Sequence, residues 1–392
     1  MDRPEELRRR IAALGFDEVR YAAAGPVPAG GLRDWLAAGH QAGMRWMDRT
    51  ADKRLAPELV LSGVRSIVAL GVSTGSVVAG VPGRPRFARY AMYSDYHDTI
   101  GRGLAAAGKI LEELYGVGSA DYRAYVDTGP VLERAWAERA GIGFVGKNAM
   151  LISRGHGNAL LLAAILTRVE LPPDPPLRAW SGGLRKTVGL LCGKCSRCLD
   201  ACPTRAFPAP GVVDARRCIS YQTIENRGVV PRELRPGIGE RVFGCDVCLE
   251  VCPWNRFAQA GRQMLLSARP EIGSLSWAEL LEMTSEAFSA KFRRTPVKRL
   301  KYAGFLRNAC IAAGNSGDAS LLPRLAQLAA HELPLVRLHA AWAVYRLAGA
   351  GAAELLRHAR SVETDPAVLE EYALSSAAPD DEEGRKTSDL RI

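Results

Sequence analysis

Eight cysteines have the spacing of ligands for iron–sulfur clusters. Cys218 stands alone between two cysteine runs, each of which ends in Cys-Pro. The first run reads C-x2-C-x2-C-x3-C-P and the second is shorter; they consist of Cys192, Cys195, Cys198 and Cys202, and of Cys245, Cys248 and Cys252. Runs of this kind hold 4Fe–4S clusters, and the cysteine before the proline ligates the other cluster in two-cluster proteins. The pattern predicts two such clusters and a protein through which electrons pass.

The spacing also indicates which cysteines share a cluster. Three cysteines on a tight loop can bind three irons, and the fourth iron takes the Cys-Pro cysteine of the other run. Cluster one is therefore assigned to Cys192, Cys195, Cys198 and Cys252. Cluster two is assigned to Cys202, Cys218, Cys245 and Cys248, because the second run lacks one thiolate and Cys218 fills the gap.

Two other uses of these cysteines compete with this interpretation. Structural zinc sites with four cysteines also use C-x2-C pairs, but they need neither the third cysteine at the same spacing nor the Cys-Pro ending. A disulfide framework is disfavoured because the N-terminus lacks a secretory apolar stretch and the chain is large. Cys310 lies in an apolar helical segment and is predicted to be a buried thiol.

Length and composition indicate a soluble protein of two or three domains. The chain has 392 residues, of which 47% are hydrophobic, and its longest apolar run, Ala159–Thr167, is too short to cross a bilayer. We expect a cytoplasmic protein that is a monomer and has no membrane contact. The net charge of +10 favours a polyanionic partner, with nucleic acid first, although a high arginine content alone would have the same effect.

Composition shifts divide the chain into five parts. Residues 1–170 have the pattern of an α/β or α+β core, with predicted strands Ser66–Ser73, Ala124–Asp127 and Leu160–Thr167 and predicted helices Gly103–Tyr115 and Val131–Ala140. Residues 171–188 read as a connecting loop and residues 189–260 as the cluster domain. Residues 261–376 are predicted to be helical, and the polar tail 377–392 is predicted to be disordered.

The helical part has a repeat-like pattern and a basic beginning. Three apolar helical segments are predicted at Val297–Ala313, Ala319–His331 and Pro334–Leu347, which suggests HEAT-like repeats, with an ordinary helical bundle as the alternative. Its first segment carries a basic stripe that either contacts phosphates or is a solvated helix face. The stripe consists of Lys291, Arg293, Arg294, Lys298, Arg299, Lys301 and Arg307.

Two motifs resemble known cofactor sites but have the wrong context. Gly141, Gly143 and Gly146 match G-x-G-x-x-G, yet a helical pattern precedes them where a dinucleotide site requires a strand. We predict a close approach to backbone or another cofactor instead. Asp95 and His97 belong to D-x-H-x-x-x-G, which is one residue longer than the cobalt-ligand motif D-x-H-x-x-G. No bond from His97 to cobalt is therefore predicted.

Asp127 follows a predicted strand and precedes a predicted helix. A carboxylate at the end of a strand faces a cleft in open α/β sheets. An aspartate before a helix can equally stabilise the helix dipole. The local sequence leaves both interpretations open.

Taken together, the motifs resemble those of the epoxyqueuosine reductases. The matching stretches are RYAMYSDYHDTI, YVDTGPVLERAWAERAGIGFVGKN, CGKCSRCLDACPTRAF, RCISYQTIENRG and GCDVCLEVCPWN, in the order of that family. The resemblance implies an α+β (α/β-like) cobalamin-binding core, a ferredoxin-like domain with two 4Fe–4S clusters, and an α-helical HEAT-like C-terminal domain. It implies reduction of epoxyqueuosine to queuosine at the wobble position of tRNA, with electrons from an external donor.

The resemblance also implies roles for individual residues. Cobalamin is bound in that family without a histidine on cobalt, and Asp127 matches its proposed proton donor, for which we predict a pKa raised by burial. Motif positions suggest cobalamin contacts from Arg54, Tyr90, Tyr96, His97, Asp127, Ser220 and Asp246. Candidate tRNA contacts are Gln222, Glu225, Arg227, Lys298, Arg299 and Lys301. The stretch 178–190 matches no motif of the family.

Two other functions remain open at this point. A reductive dehalogenase-like enzyme would act on a small organohalide, against which stand the basic charge and the missing export signal. A plain electron-transfer protein would bind no corrinoid and would use residues 1–170 only to dock a partner.

Overall fold

The computed structural model describes residues 2–28, 30–75, 83–177, 188–258 and 265–377. Most of the unmatched stretch 178–190 and the tail predicted to be disordered lie outside the described residues. Within the described residues, no helix is both long enough and apolar enough to span a membrane.

A four-stranded antiparallel sheet forms the centre of the N-terminal half. Its strand order is β1-β2-β7-β4, and every residue of β2 is buried. The predictions for Ser66–Ser73 and Leu160–Thr167 are confirmed, and the antiparallel pairing makes this part α+β rather than a parallel α/β sheet. The strands of the protein are β1 Glu18–Ala23, β2 Ser66–Ser73, β3 Arg86–Phe87, β4 Tyr122–Val126, β5 Gly143–Val145, β6 Leu151–Ser153, β7 Leu160–Thr167 and β8 Arg241–Phe243.

Helices cover both faces of this sheet because its strands are apolar on both sides. One face packs on α1 and α5, and the other packs on α6. Helix α5 begins seven residues before the predicted Gly103, because the Asp95 side chain accepts a hydrogen bond from the His97 N–H and caps the helix. The helices of this half are α1 Arg3–Ala13, α2 Gly30–Ala37, α3 Arg45–Arg49, α4 Ala51–Leu55, α5 Tyr96–Tyr115 and α6 Glu133–Arg139.

The glycine-rich motif follows α6 and extends across β5, so a helix precedes it, as its sequence context predicted. Gly141 has a φ of 78°, and a Cβ there would clash with the Pro175 carbonyl. A Cβ at Gly143 would clash with the backbone of Ile152 in the paired strand β6. These glycines allow close contact between backbone segments.

The cysteine-rich segment and the C-terminal helices share one hydrophobic core. Ile219, Val242 and Phe243 pack in the same cluster as Cys310, whose thiol is fully buried as predicted. The HEAT-like arrangement stays a prediction. The helices of this half are α7 Arg197–Asp200, α8 Ile219–Ile224, α9 Arg235–Ile238, α10 Val247–Glu250, α11 Pro270–Gly273, α12 Trp277–Leu281, α13 Ser285–Lys291, α14 Lys301–Gly314, α15 Leu322–Leu328, α16 Pro334–Ala348, α17 Ala352–Leu355, α18 Arg357–Ser361 and α19 Pro366–Ala377.

Arg307 lies in this core, so its assignment to an exposed basic stripe is wrong. The residue is 0% exposed. Its guanidinium donates to the carbonyls of Asn226 at 2.7 Å, Gly228 at 2.8 Å and Gln222 at 2.8 Å. Burial lowers the pKa of Arg307 to about 10. The side chain therefore holds the loop after α8 against α14.

Replacing Arg307 with methionine should lower the free energy of unfolding by about 2–4 kcal/mol, because buried carbonyls lose their donors. A denaturant titration followed by circular dichroism measures this change. The matched control is Arg293→Met, an exposed arginine of the same stripe, which should change stability by less than about 0.5 kcal/mol. Equal unfolding midpoints for the two variants would contradict the role of Arg307.

Candidate functional site

Asp127 occupies a strained turn at the end of β4. Its φ is 60°, a left-handed value that non-glycine residues rarely adopt. The Thr128 N–H donates to the Val126 carbonyl at 2.6 Å, which closes a three-residue turn around Asp127. Strand β4 therefore ends at Val126 rather than at the predicted Asp127. Strain of this kind costs about 1–3 kcal/mol and is concentrated at functional sites.

A chain of polar side chains from the start of α5 reaches Asp127. The Tyr96 hydroxyl donates to Asp127 Oδ2 at 2.7 Å, and His97 Nε2 lies 3.4 Å from the same oxygen as an ion pair. The other ring nitrogen of His97, Nδ1, lies 2.7 Å from Asp95 Oδ1. The rings of Tyr96 and His97 are stacked with centroids 4.1 Å apart. His97 is thus held between two carboxylates.

This arrangement overturns the prediction that the pKa of Asp127 is raised. The interaction with His97 lowers the pKa of Asp127 below its ordinary value and outweighs the effect of burial. Burial lowers the pKa of His97, but the interactions with Asp127 and Asp95 outweigh it and raise the pKa to about 9. At neutral pH the proton therefore resides on the imidazole, and Asp127 is ionised.

Three charged residues lie near Asp127. Arg54 is 9% exposed and donates to the Val131 carbonyl at 3.0 Å. Burial raises the pKa of Glu133 to about 7, and its buried Oε1 has no hydrogen-bond partner among the described residues. The Asp127 side chain is 63% exposed, and Arg134 is also exposed.

Sequence reasoning missed Glu133 and Arg134. Both belong to the quoted stretch VLERAW, and adjacent opposite charges at the start of an apolar helix were the signal that could have identified them. Asp127, Arg54, Tyr96 and His97, which were predicted, lie in the same neighbourhood.

Tyr90 and Asp246 connect this neighbourhood to the cysteine-rich segment. The Tyr90 ring lies 5.9 Å from the rings of both Tyr96 and Phe243. Asp246 follows Cys245 directly and accepts a hydrogen bond from the Arg89 N–H at 2.7 Å. Burial raises the pKa of Asp246. Ser220 is half-buried two residues after Cys218.

The four cysteines assigned to cluster one line one cavity, and the assignment of the cysteines to two clusters stays a prediction. A cavity of about 290 Å³ is lined by Cys192, Cys195, Cys198 and Cys252. Desolvation and the charges of Cys245, Cys218, Cys198 and Cys202 raise the pKa of the Cys248 thiol well above its ordinary value. Burial also raises the thiol pKa values of Cys198 and Cys245 to about 11. Such thiols need a metal to become thiolates at neutral pH.

Two side chains after the glycine-rich motif tie the cysteine loops to the N-terminal half. Lys147 Nζ donates to the carbonyls of Gly193 at 2.8 Å and Cys195 at 2.9 Å. Asn148 Nδ2 donates to the Cys248 carbonyl at 3.2 Å. Sequence reasoning did not single out this pair, although it ends the quoted stretch GIGFVGKN.

Several predicted tRNA contacts meet at the rim of the Asp127 neighbourhood. Arg299 forms a two-pronged ion pair with Glu225 at 2.8 and 3.0 Å, and Arg227 donates to the Arg299 carbonyl at 2.7 Å. The Arg299 guanidinium also lies 5.9 Å from the centre of the Trp46 ring. The charge of Asp127 contributes to the raised pKa of Arg299, which shows that the two groups are near each other.

The other predicted tRNA residues differ in accessibility. Lys301 is exposed, and Lys298 is half-buried with Nζ 2.7 Å from Ser289 Oγ. Gln222 is only 3% exposed and donates to the Arg216 carbonyl at 2.6 Å. Gln222 lies in α8 rather than in the predicted loop, so an RNA contact from its side chain would require local rearrangement of that helix.

Two family models match parts of the chain. Residues 54–128 match the family described as "Epoxyqueuosine reductase QueG, DUF1730", and residues 191–255 match the "4Fe-4S double cluster binding domain". The second match supports iron–sulfur ligation over the zinc alternative.

Curated relatives extend the similarity over most of the chain. The epoxyqueuosine reductase of Pseudomonas aeruginosa is 38% identical over 324 residues, which cover 80% of this chain and 86% of the relative. That of Xanthomonas campestris is 36% identical over 322 residues, which cover 80% and 87%.

Solved structures agree with these relatives. An epoxyqueuosine reductase in complex with an epoxyqueuosine-modified tyrosine tRNA stem loop is 31% identical, has a TM-score of 0.83, and covers 95% of this chain and 97% of its own. An epoxyqueuosine reductase from Bacillus subtilis, whose aspartate-bearing catalytic loop is swung out of the active site, has a TM-score of 0.80 at 31% identity and the same coverage. The chain therefore belongs to the epoxyqueuosine reductases, a family of oxidoreductases.

Proposed function

We propose that this protein reduces epoxyqueuosine to queuosine at the wobble position of tRNA, using cobalamin and electrons that pass through two 4Fe–4S clusters. The observation that carries the proposal is the linked set Asp127, Tyr96, Tyr90 and Asp246. This set connects Asp127, an acid–base group, to Asp246, the residue directly after Cys245 of cluster two. The Asp127 neighbourhood would thus have a proton source on one side and an electron source on the other.

The cysteine groups fit two clusters. Four thiols around one cavity of about 290 Å³ provide the ligand set of cluster one. The charges of Cys245, Cys218 and Cys202, together with that of Cys198, contribute to the raised thiol pKa of Cys248, which supports the second set. Buried thiols with raised pKa values release their protons when iron binds, so cluster assembly should be coupled to folding of this segment.

The residues around Asp127 fit a corrinoid. Arg54, Tyr90, Tyr96, His97, Ser220 and Asp246 are the residues that would hold it. His97 Nδ1 is held by Asp95, and Nε2 faces Asp127 Oδ2 at 3.4 Å as an ion pair without a hydrogen bond, which supports binding of cobalamin without a histidine on cobalt. The unpartnered buried Glu133 Oε1 and Arg89 Nε are polar groups that a polar ligand could satisfy. Bound cobalamin would supply a reducible cobalt centre that passes electrons to the epoxide carbons.

The protein residues would supply the protons. Conversion of an epoxide to an alkene consumes two electrons and two protons and releases water. The departing oxygen must be protonated, because a bare alkoxide leaves poorly. In the free enzyme this proton is stored on His97, and Asp127 would transfer it to the oxygen. Asp127 is then the proton donor to substrate, and His97 is the group that recharges it.

The pH dependence of turnover should report His97. We expect the rate to fall above about pH 9, where the imidazolium loses its proton. The same deprotonation should lower the free energy of unfolding. The raised pKa of His97 means that its protonation stabilises the folded state fully below about pH 6.5, and this contribution is lost as the pH rises from about 6.5 through about 9. His97→Gln should abolish the alkaline limb and lower the rate about 100-fold. Single-turnover pH profiles measure both effects.

The exposed His358 provides the control for this variant. His358→Gln should keep the wild-type rate and the wild-type pH profile. An unchanged alkaline limb in His97→Gln would show that another group titrates.

The basic rim should bind tRNA phosphates. The double variant Lys298→Ala with Lys301→Ala should weaken tRNA binding, and the slope of log affinity against log salt should fall by roughly 1–2. Fluorescence anisotropy with a labelled anticodon stem loop measures both quantities. Arg360→Ala, which removes an exposed arginine of α18, should leave both unchanged. An equal loss of tRNA affinity in the double variant and in Arg360→Ala would mean that only the overall charge of the protein determines tRNA binding.

Corrinoid binding provides a test that is independent of turnover. Anaerobic gel filtration of the full chain with cobalamin should show co-elution at about one corrinoid per protein, as a single binding site requires. Electron paramagnetic resonance should show no coupling of cobalt to a protein nitrogen. Failure of cobalamin to co-elute with a chain that retains its clusters would contradict the proposal.

A further inference from the structure

The cavity of cluster one opens at a basic and aromatic surface. Besides the four cysteines, its lining includes Lys147, Arg197, Arg256, Trp254 and Phe257, and none of the described residues that line it is acidic. We call Arg197, Arg256, Trp254 and Phe257 the entry face. No residue of the entry face belongs to the Asp127 neighbourhood.

The aromatic part of the entry face is exposed yet fixed in place. Phe257 is 47% exposed, although large apolar side chains are usually buried. Its ring lies 5.5 Å from that of Trp254, which in turn lies 5.5 Å from the ring of the buried Phe144. This aromatic chain anchors an apolar spot directly at the mouth of the cavity.

The basic part carries positive charge that its surroundings do not neutralise. Arg197 and Arg256 are exposed, and neither forms an ion pair with a carboxylate in the described ranges. The Arg256 guanidinium lies 4.6 Å from the centre of the Phe257 ring. Lys147 donates only to backbone carbonyls, so its charge adds to the field. An exposed aromatic ring inside a positive rim is suited to a partner with an acidic surface around an apolar centre.

The two clusters differ in what surrounds them. Cluster two borders the substrate side, because Cys245 packs against the core that includes Tyr90, and Asp246 follows it. Cluster one borders the entry face. Electrons that reach the substrate through cluster two should therefore enter the protein at cluster one.

We propose that the entry face docks a small acidic redox protein that reduces cluster one. This inference rests on the proposed function, because it assumes electron flow toward the Asp127 neighbourhood. Each encounter oxidises the carrier by one electron and reduces cluster one by one electron, and no bond is formed or broken. Two encounters supply the two electrons that the epoxide requires. A small face of this kind suits the weak, short-lived complexes of electron-transfer partners.

The test uses the full chain with both clusters and reduced flavodoxin, a small acidic flavin protein, as the probe. Stopped-flow absorbance measures the second-order rate of cluster reduction at several salt concentrations. The double variant Arg197→Glu with Arg256→Glu should lower this rate at low salt at least about 10-fold and flatten its salt dependence. Phe257→Ala should weaken flavodoxin binding in an anisotropy titration.

Three controls keep the test specific. Arg360→Glu makes the same charge change on the distant helix α18 and should leave the flavodoxin rate at the wild-type value. Reduction by dithionite should stay within about twofold in every variant, because a small reductant needs no docking face. Affinity for the tRNA stem loop should be unchanged in Phe257→Ala, whose ring lies outside the basic rim.

The outcomes are distinct. If flavodoxin reduces the clusters of the double variant at the wild-type rate, the docking proposal is overturned. It is also overturned if the rate of reduction by dithionite falls as much as the rate with flavodoxin. Weaker tRNA binding in Phe257→Ala with unchanged flavodoxin binding would also overturn it and assign the entry face to RNA. Normal cluster reduction by flavodoxin without queuosine formation would count against the proposed function and leave the docking face intact.

Discussion

Replacing Asp127 with asparagine should lower the rate of epoxyqueuosine reduction at least about 100-fold, because the departing oxygen then lacks its proton donor. Asparagine keeps the shape of the side chain and tolerates the left-handed backbone at φ 60°. The clusters and the corrinoid should therefore remain bound. Single-turnover assays, together with cluster absorbance and corrinoid content, separate loss of chemistry from loss of cofactors.

Asp98→Asn is the matched control. Asp98 is an exposed aspartate in the first turn of α5, one residue after His97, and it should be replaceable with little effect. Wild-type turnover in Asp127→Asn would remove Asp127 from the mechanism. Loss of corrinoid from this variant would instead make it a binding residue.

Paired cysteine substitutions should reveal which thiols share a cluster. Cys198→Ala combined with Cys252→Ala removes two ligands of cluster one and should lower the iron content from about eight to about four per chain. Cys198→Ala combined with Cys202→Ala removes one ligand from each cluster and should lower the iron content toward zero. Both variants should lose turnover completely, because the electron path is broken. Iron and sulfide analysis after anaerobic reconstitution measures the difference.

Cys310→Ala controls for the loss of a thiol, since Cys310 is buried in the helical core away from both sets. Its iron content should equal that of the wild type. Equal iron in the two double variants would refute the exchange of Cys202 and Cys252 between the runs.

The sequence predicted those features that depend on local pattern. The bounds of β2 and β7 follow from short apolar runs. The assignment of the cysteines to two clusters rests on their spacing and stays a prediction. The prediction that the glycine motif is not a dinucleotide site also followed from the helical pattern that precedes it. In each case the relevant information lies within about ten residues of the feature.

The errors concern properties that distant residues determine. The pKa of Asp127 is lowered rather than raised because α5 brings His97 and Tyr96 to it from 30 residues away in sequence. Arg307 has the pattern of a surface cation but is buried, because α8 and the loop after it present three backbone carbonyls to it. Gln222 is buried against the same loop. No local pattern contains these partners.

The measurement that tests the central claim most directly is conversion of epoxyqueuosine to queuosine in tRNA. The full chain, reconstituted anaerobically with both clusters, is incubated with epoxyqueuosine-containing tRNA and a strong reductant, with and without cobalamin. Nucleosides are then quantified by mass spectrometry. We predict queuosine only when cobalamin is present. Absence of queuosine with intact clusters and bound corrinoid would contradict the account, as would equal conversion without cobalamin.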